Sequence, residues 1–148
     1  MSLLNAQDSY FALGNPLVWL ERRLHRYRHH QTLRINQREI KLSWTDRAET
    51  ALRQRRRALV VELQLYFSCV VKKRVLFHQL PIDFESFRVN DKIELCFRPI
   101  ASAVCDPNEF ATRYPSGRDL STGVAARMLP GSVEIDYRRG NWQGQFYY

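Results

Sequence analysis

Glu21, His25 and His29 stand four residues apart in ERRLHRYRHH, residues 21–30. On a continuous helix that spacing lays a carboxylate and two imidazoles along one face, the donor set for zinc or a related dication. Arg22, Arg26 and Arg28 surround the set and would repel a dication, so the expectation is that no metal and no other cofactor is held. The arginines suggest different chemistry. Guanidinium groups make forked contacts to phosphate and stack on bases, whereas lysine acts as a hydrated point charge. Arginine outnumbers lysine nineteen to four in this chain.

The excess charge is concentrated. Residues 21–57 contain twelve Lys or Arg and four acids, which equals the net charge of +8 carried by all 148 residues. A basic stretch of this density attracts polyanions through counterion release. The residues expected to contact phosphates are Arg22, Arg23, Arg26, Arg28, His29 and His30, together with Arg55, Arg56 and Arg57. The two histidines would add charge below about pH 6.5. The structural alternative is a solvated helix face, with the triplet at 55–57 complementing a helix C-terminus.

Other groupings carry less chemistry. Glu39/Lys41, Glu62/Gln64 and Glu134/Asp136 each put two polar groups on one strand face, as metal-dependent nucleases do, but no partner acid is evident. Cys69 shares the apolar phase of its strand, Cys96 the polar phase, and Cys105 precedes a helix start. Pairing Cys105 with His78 as nucleophile and base needs the fold to bring them together. PSGRDLSTG (115–123) fits no nucleotide-loop pattern and reads as a surface loop. Trp142, Phe146, Tyr147 and Tyr148 crowd the end of the chain, and Tyr66 lies on the polar side of a strand. Such aromatics stack on unpaired bases or bury at interfaces.

The elements that must position these residues follow from periodicity. Asn15-Pro16 opens an amphipathic helix with Leu17, Leu20, Leu24 and Tyr27 as its core stripe, ending near His30 or Gln31. Residues 32–35 and 39–44 alternate as a hairpin around Asn36-Gln37-Arg38. Asp46 and Glu49 begin a short helix. From Leu59 to Phe77 nearly every odd position is apolar, with Glu62, Gln64, Tyr66, Ser68 and Lys72 opposite. That is one long strand, or two divided near Val71–Arg74. Residues 87–100 form an edge-like strand ending at Pro99. Short helices are expected after Asp106-Pro107 and across Asp119–Met128, and a terminal hairpin turns at Arg139-Gly140-Asn141.

The expected class is therefore α+β: a mostly antiparallel sheet with an N-terminal amphipathic helix and two or three short helices packed on it. Residues 1–148 read as a single globular domain, with 1–14 loosely ordered. The absence of a long apolar run or basic leader predicts a soluble, cytoplasmic protein without a membrane partner. The composition favours a non-catalytic module binding nucleic acid or another polyanion through residues 21–57. The alternative is a protein-interaction module, a homo-oligomer or a subunit of a larger assembly meeting an acidic protein partner. No catalytic motif stands out, so an enzyme is the least supported reading.

Overall fold

A computed structural model of the chain describes residues 16–68, 71–102, 117–120 and 122–148. Helix α1 (Pro16–Leu24) leads into the hairpin β1 (His29–Ile35) and β2 (Arg38–Trp44). Helix α2 (Asp46–Arg53) follows, then β3 (Leu59–Phe67), β4 (Val71–His78), β5 (Phe87–Arg88), β6 (Ile93–Ser102) and β7 (Gly117–Asp119). A 3-10 turn, Val124–Arg127, precedes the closing hairpin of β8 (Ser132–Arg138) and β9 (Asn141–Tyr147). The class is α+β and mostly strand, but the strands form two sheets rather than one.

Each sheet is built from antiparallel neighbours joined by one parallel seam. The first runs β1-β2-β8-β9, with β2 and β8 parallel. The second runs β4-β3-β6, with β3 and β6 parallel and with β5 and β7 pairing different stretches of β6. Alternation fixes which residues face inward. Ile40, Leu42, Val133, Ile135 and Phe146 of the first sheet share one core with Leu59, Val61, Leu63, Ile93 and Leu95 of the second. Ala48 and Leu52 of α2 complete it. At Gly144 a Cβ would stand 2.9 Å from the Phe77 ring and 3.0 Å from Val75, so β9 and β4 meet closely where only glycine fits.

The apolar phase from Leu59 to Phe77 survives a chain reversal because the β3–β4 register pairs odd positions with odd, as in Leu63 with Val75. Strand β3 ends at Phe67 and β4 begins at Val71, so the division falls earlier than the expected Val71–Arg74. The first hairpin turns at Asn36 and Gln37, with φ of 48° and 69°, and the last at Arg139 and Gly140, with φ of 51° and 80°. Paired positive φ values match the right-handed twist of the flanking strands.

Three expectations about helices are corrected. Helix α1 ends at Leu24, and His29 and His30 belong to β1. It buries no residue: Leu17 is 72% exposed and Leu24 63%. Of the stripe that should have packed on the core, Leu17, Leu20 and Leu24 face outward and Tyr27, beyond the helix, is partly buried. Residues 117–119 are strand rather than the start of a helix, and only a 3-10 turn forms at 124–127. The helix expected after Asp106 lies outside the described residues, as do Cys69, Cys105, Glu109 and residues 1–14. No described helix is long and apolar enough to cross a membrane.

Candidate functional site

With α1 ending at Leu24, Glu21, His25 and His29 do not share one helix face. Glu21 Oε1 lies 3.9 Å from His25 Nε2 but is engaged by Arg47 Nη2 at 3.1 Å and faces Arg138 Nε at 3.5 Å. His29 Nε2 meets Asp46 Oδ1 at 2.8 Å instead, and its ring stacks on Trp44 with centroids 6.0 Å apart. Among the described residues no three His, Cys, Asp or Glu side chains gather as metal ligands.

The four acids of the basic segment are all taken. Glu21 serves Arg47, Glu39 lies 3.7 Å from Arg34, Asp46 serves Arg28 and His29, and Glu49 accepts from Arg53 at 2.9 Å. Trp44 Nε1 also donates to Glu49 at 2.6 Å; that bond and the Arg53 hydrogen bond outweigh burial and hold the Glu49 carboxyl below its usual range. Arg22, Arg23, Arg26, Arg56 and Arg57 are exposed, with no ion pair among the described residues. Arg23 lies 5.1 Å above the Trp19 ring. His30 is exposed as well.

Arg55 has a different role from its two neighbours. Its guanidinium donates to the Gln79 side chain, its Nε reaches Arg57 O at 3.3 Å, and its own carbonyl accepts Lys92 Nζ at 2.5 Å. It ties the α2–β3 connection to the second sheet and is not free for phosphate. The nine sequence candidates therefore fall into two groups. One surrounds α1, β1 and the start of α2; the other follows the end of α2. Eight helical residues, about 12 Å, separate those two ends.

Arg56 and Arg57 line one side of a cleft of about 310 Å³. Arg88 of β5 and Glu94 of β6 line it too, paired across those strands, and Asp91 comes from the turn between them. Ala58, Val60 and Pro81 supply the apolar lining. The turn is held from both sides. Asn90 Oδ1 accepts the N–H groups of Lys92 and Ile93, while Gln31 of β1 donates to Val89 O at 2.6 Å and accepts from Asn90 Nδ2 at 3.1 Å. Glu94 accepts from Ser86 Oγ at 3.0 Å. None of the three arginines is within salt-bridge distance of Asp91 or Glu94. The cleft thus presents three cations and two anions with no ion pair between them, Glu94 sharing one carboxylate oxygen with Ser86.

Beyond Val60 on the same strand face lies a polar cluster that the alternation pattern had left in water. Glu62, Gln64 and Tyr66 are 2%, 3% and 1% exposed. Glu62 Oε1 accepts from Arg98 Nη1 at 3.0 Å and Oε2 from Gln64 Nε2 at 2.8 Å, while Arg74 Nε donates to Gln64 Oε1 at 2.5 Å. His78 Nε2 is 3.5 Å from Glu62 Oε2 without hydrogen-bond geometry; it and Arg98 Nε are buried with no hydrogen-bond partner. The Phe84 ring lies 3.6 Å from the Arg98 guanidinium carbon. Long side chains of β4 and β6 cover the central strand and bury its carboxylate with its counter-charge, the arrangement that burial of an ion demands.

Tyr66 is consequently unavailable for base stacking. Cys96, one position across from Glu62 on β6, is fully buried, and burial with the nearby Glu62 charge pushes its thiol up to about 11. Of the terminal aromatics, Phe146 is core, Trp142 packs on Tyr137 and Phe77, and Tyr148 is 56% exposed with its hydroxyl on Met128 O at 2.9 Å. Sequence reasoning missed Arg88, Asp91 and Glu94. The signal available was faint: the charge alternation of Arg88, Asp91, Lys92 and Glu94 around a turn. No family model matches the chain, and no match is found among the curated proteins or the solved structures.

Proposed function

We propose that this protein is a non-catalytic module that binds nucleic acid or another polyanion through its arginine-rich segment. The observation that carries the reading is the division of charge within residues 21–57. Every acid there is occupied by a neighbour, none of them by Arg22, Arg23, Arg26, Arg56 or Arg57. Those five guanidiniums are the phosphate contacts, with His30 beside them; Arg28 and His29 join by exchanging Asp46 for phosphate, and Arg55 positions its neighbours. Such contacts carry no base readout, so sequence preference is weak. A cytoplasmic setting fits a chain whose described cysteine, Cys96, is a free thiol.

Anisotropy of labelled single-stranded RNA and duplex DNA, titrated from low to physiological salt, tests this. Five phosphate contacts give a slope of log affinity on log salt of about −3.5 on the single strand and about −4.5 on the duplex. Replacing Arg22, Arg23 and Arg26 together flattens the slope by about 2 to 3. Absence of binding at about 50 mM salt overturns the proposal.

One observation favours a second reading, a protein-interaction module. Leu17, Trp19, Leu20 and Leu24 of α1 are exposed at 72%, 60%, 45% and 63%. Apolar side chains so grouped are a common feature of interaction surfaces. Sedimentation of the protein, alone and as Leu20→Ser, decides whether they join copies of the chain: a concentration-dependent dimer lost in the variant supports it, and a monomer at all concentrations removes the homo-oligomer.

A further inference from the structure

We infer that the cleft bounded by Arg57 and Arg88 is a site for one nucleotide unit, a phosphate ester of an amino-bearing heterocycle. The inference rests on the polyanion reading for Arg56 and Arg57, and adds residues that lie outside the basic segment. Three features define the ligand. The arginines come from the α2–β3 connection and from β5, so only the fold brings them to one cleft. Unneutralised guanidiniums grouped in this way match the oxygens of a phosphate monoester, which accept paired N–H donors.

Asp91 and Glu94 line the same cleft and disfavour a bare anion. A ligand that satisfies them carries N–H donors as well as a phosphate, as an exocyclic amine on a base does. In the same cleft Ala58 and Pro81 offer apolar surface to a ring. A volume of about 310 Å³ is at the small end for ligand sites, which limits the occupant to a single unit. Two sources carry this chemistry: a free nucleoside monophosphate and the phosphorylated end of a strand.

The test is calorimetric titration of the intact chain with adenosine and cytidine monophosphates, uridine monophosphate, adenosine and inorganic phosphate. Adenosine and cytidine monophosphates are expected to bind at least about tenfold more tightly than adenosine or phosphate alone. Arg88→Ala and Arg57→Ala should each weaken them by at least about tenfold, while Glu94→Gln reduces the preference over uridine monophosphate. All three positions are at the surface or at its margin, and a matching thermal melt verifies that each variant is folded.

A short oligonucleotide with and without a 5′-phosphate separates the sources. An Arg88-dependent gain from the 5′-phosphate beyond the free nucleotide's affinity assigns the strand end; no gain assigns the free nucleotide. Equal binding of adenosine and its monophosphate, or folded Arg88→Ala with unchanged affinity, overturns the inference. The two readings fail separately. If long strands bind and Arg88→Ala leaves nucleotides unaffected, the cleft assignment is wrong and the basic segment stands. If nucleotides bind through Arg88 and long strands do not bind, the cleft stands alone.

Discussion

Asp136→Asn should destabilise the protein more than its position near the surface suggests. Asp136 is 9% exposed, and Oδ1 accepts from Thr45 Oγ1 at 2.6 Å and Arg47 Nε at 2.7 Å, while Oδ2 accepts Arg47 Nη2 at 2.5 Å. The Tyr137 amide donates to Oδ1 at 2.8 Å. Thr45 caps α2 through the Ala48 amide, so the carboxylate fastens the start of that helix to β8. An asparagine of the same shape turns an NH₂ toward a guanidinium or loses its bonds to Oδ1. The first orientation removes the bond from Arg47 Nη2, the second those from Arg47 Nε, Thr45 and Tyr137, and both take the carboxylate charge away from the bonds that remain. Arg47 keeps Glu21 at 3.1 Å and is 24% exposed, which softens the loss. The expected cost is about 3 kcal/mol, and at about 3 °C per kcal/mol it lowers Tm by about 9 °C.

Urea and thermal melts of Asp136→Asn, Arg47→Met and the double variant measure this directly. The cycle should return a coupling of about 2 kcal/mol at neutral pH. The pH dependence has a definite sign. Burial pushes the Asp136 carboxyl up, but the bonds from Arg47, Thr45 and the Tyr137 amide outweigh it and hold the group below its ordinary 3.8. A lowered native value contributes stability that is fully present well above 3.8 and is lost as pH falls through the native value. The gap between wild type and Asp136→Asn should thus be constant near neutrality and close in acid. A gap below about 0.5 kcal/mol at neutral pH, the scale of ordinary surface changes, or one that persists unchanged into acid, would refute the reasoning.

Three further predictions address other parts of the fold. Gly144→Val drives a side chain into Phe77 and Val75 where β9 meets β4; a loss of about 1–3 kcal/mol in urea melts is expected, and an unchanged midpoint would show that the sheets can part there. Gln37→Gly relieves a non-glycine residue at φ 69° in the first hairpin turn and should raise stability by about 1 kcal/mol in the same assay; destabilisation would show that the turn does not hold that conformation. Cys96, buried with its thiol near 11, should resist a thiol reagent in the folded protein and react once urea unfolds it. Peptide mapping distinguishes it from the other two cysteines, and rapid native labelling of Cys96 contradicts its burial.

Local pattern was enough for much of this architecture. Odd-position apolar residues from Leu59 to Phe77 marked the inner face of β3 and β4, and Asn36-Gln37 and Arg139-Gly140 marked two hairpin turns, because a strand's faces and a tight turn's backbone are decided by neighbouring residues. The concentration of arginine between residues 21 and 57 was legible for the same reason: composition needs no coordinates. The end of α1 was not. Leucines at helical spacing state that a helix has an apolar side, not that a core stands opposite it, and Leu17 and Leu24 face outward. The metal spacing at Glu21, His25 and His29 failed with it, since it required helix where β1 begins.

Only tertiary structure could pair β2 with β8 and β3 with β6, parallel seams between segments far apart in sequence. Those seams decide the rest. Placing β3 at the centre of its sheet buried Glu62, which alternation had assigned to water, and the register that set it beside β6 supplied Arg98 as its counter-charge. The same pairing carried Arg88, Asp91 and Glu94 to the side of Arg56 and Arg57. Charge and periodicity are properties of a chain read locally, whereas a cleft or a buried ion pair is a distance between residues that only the packed sheets determine.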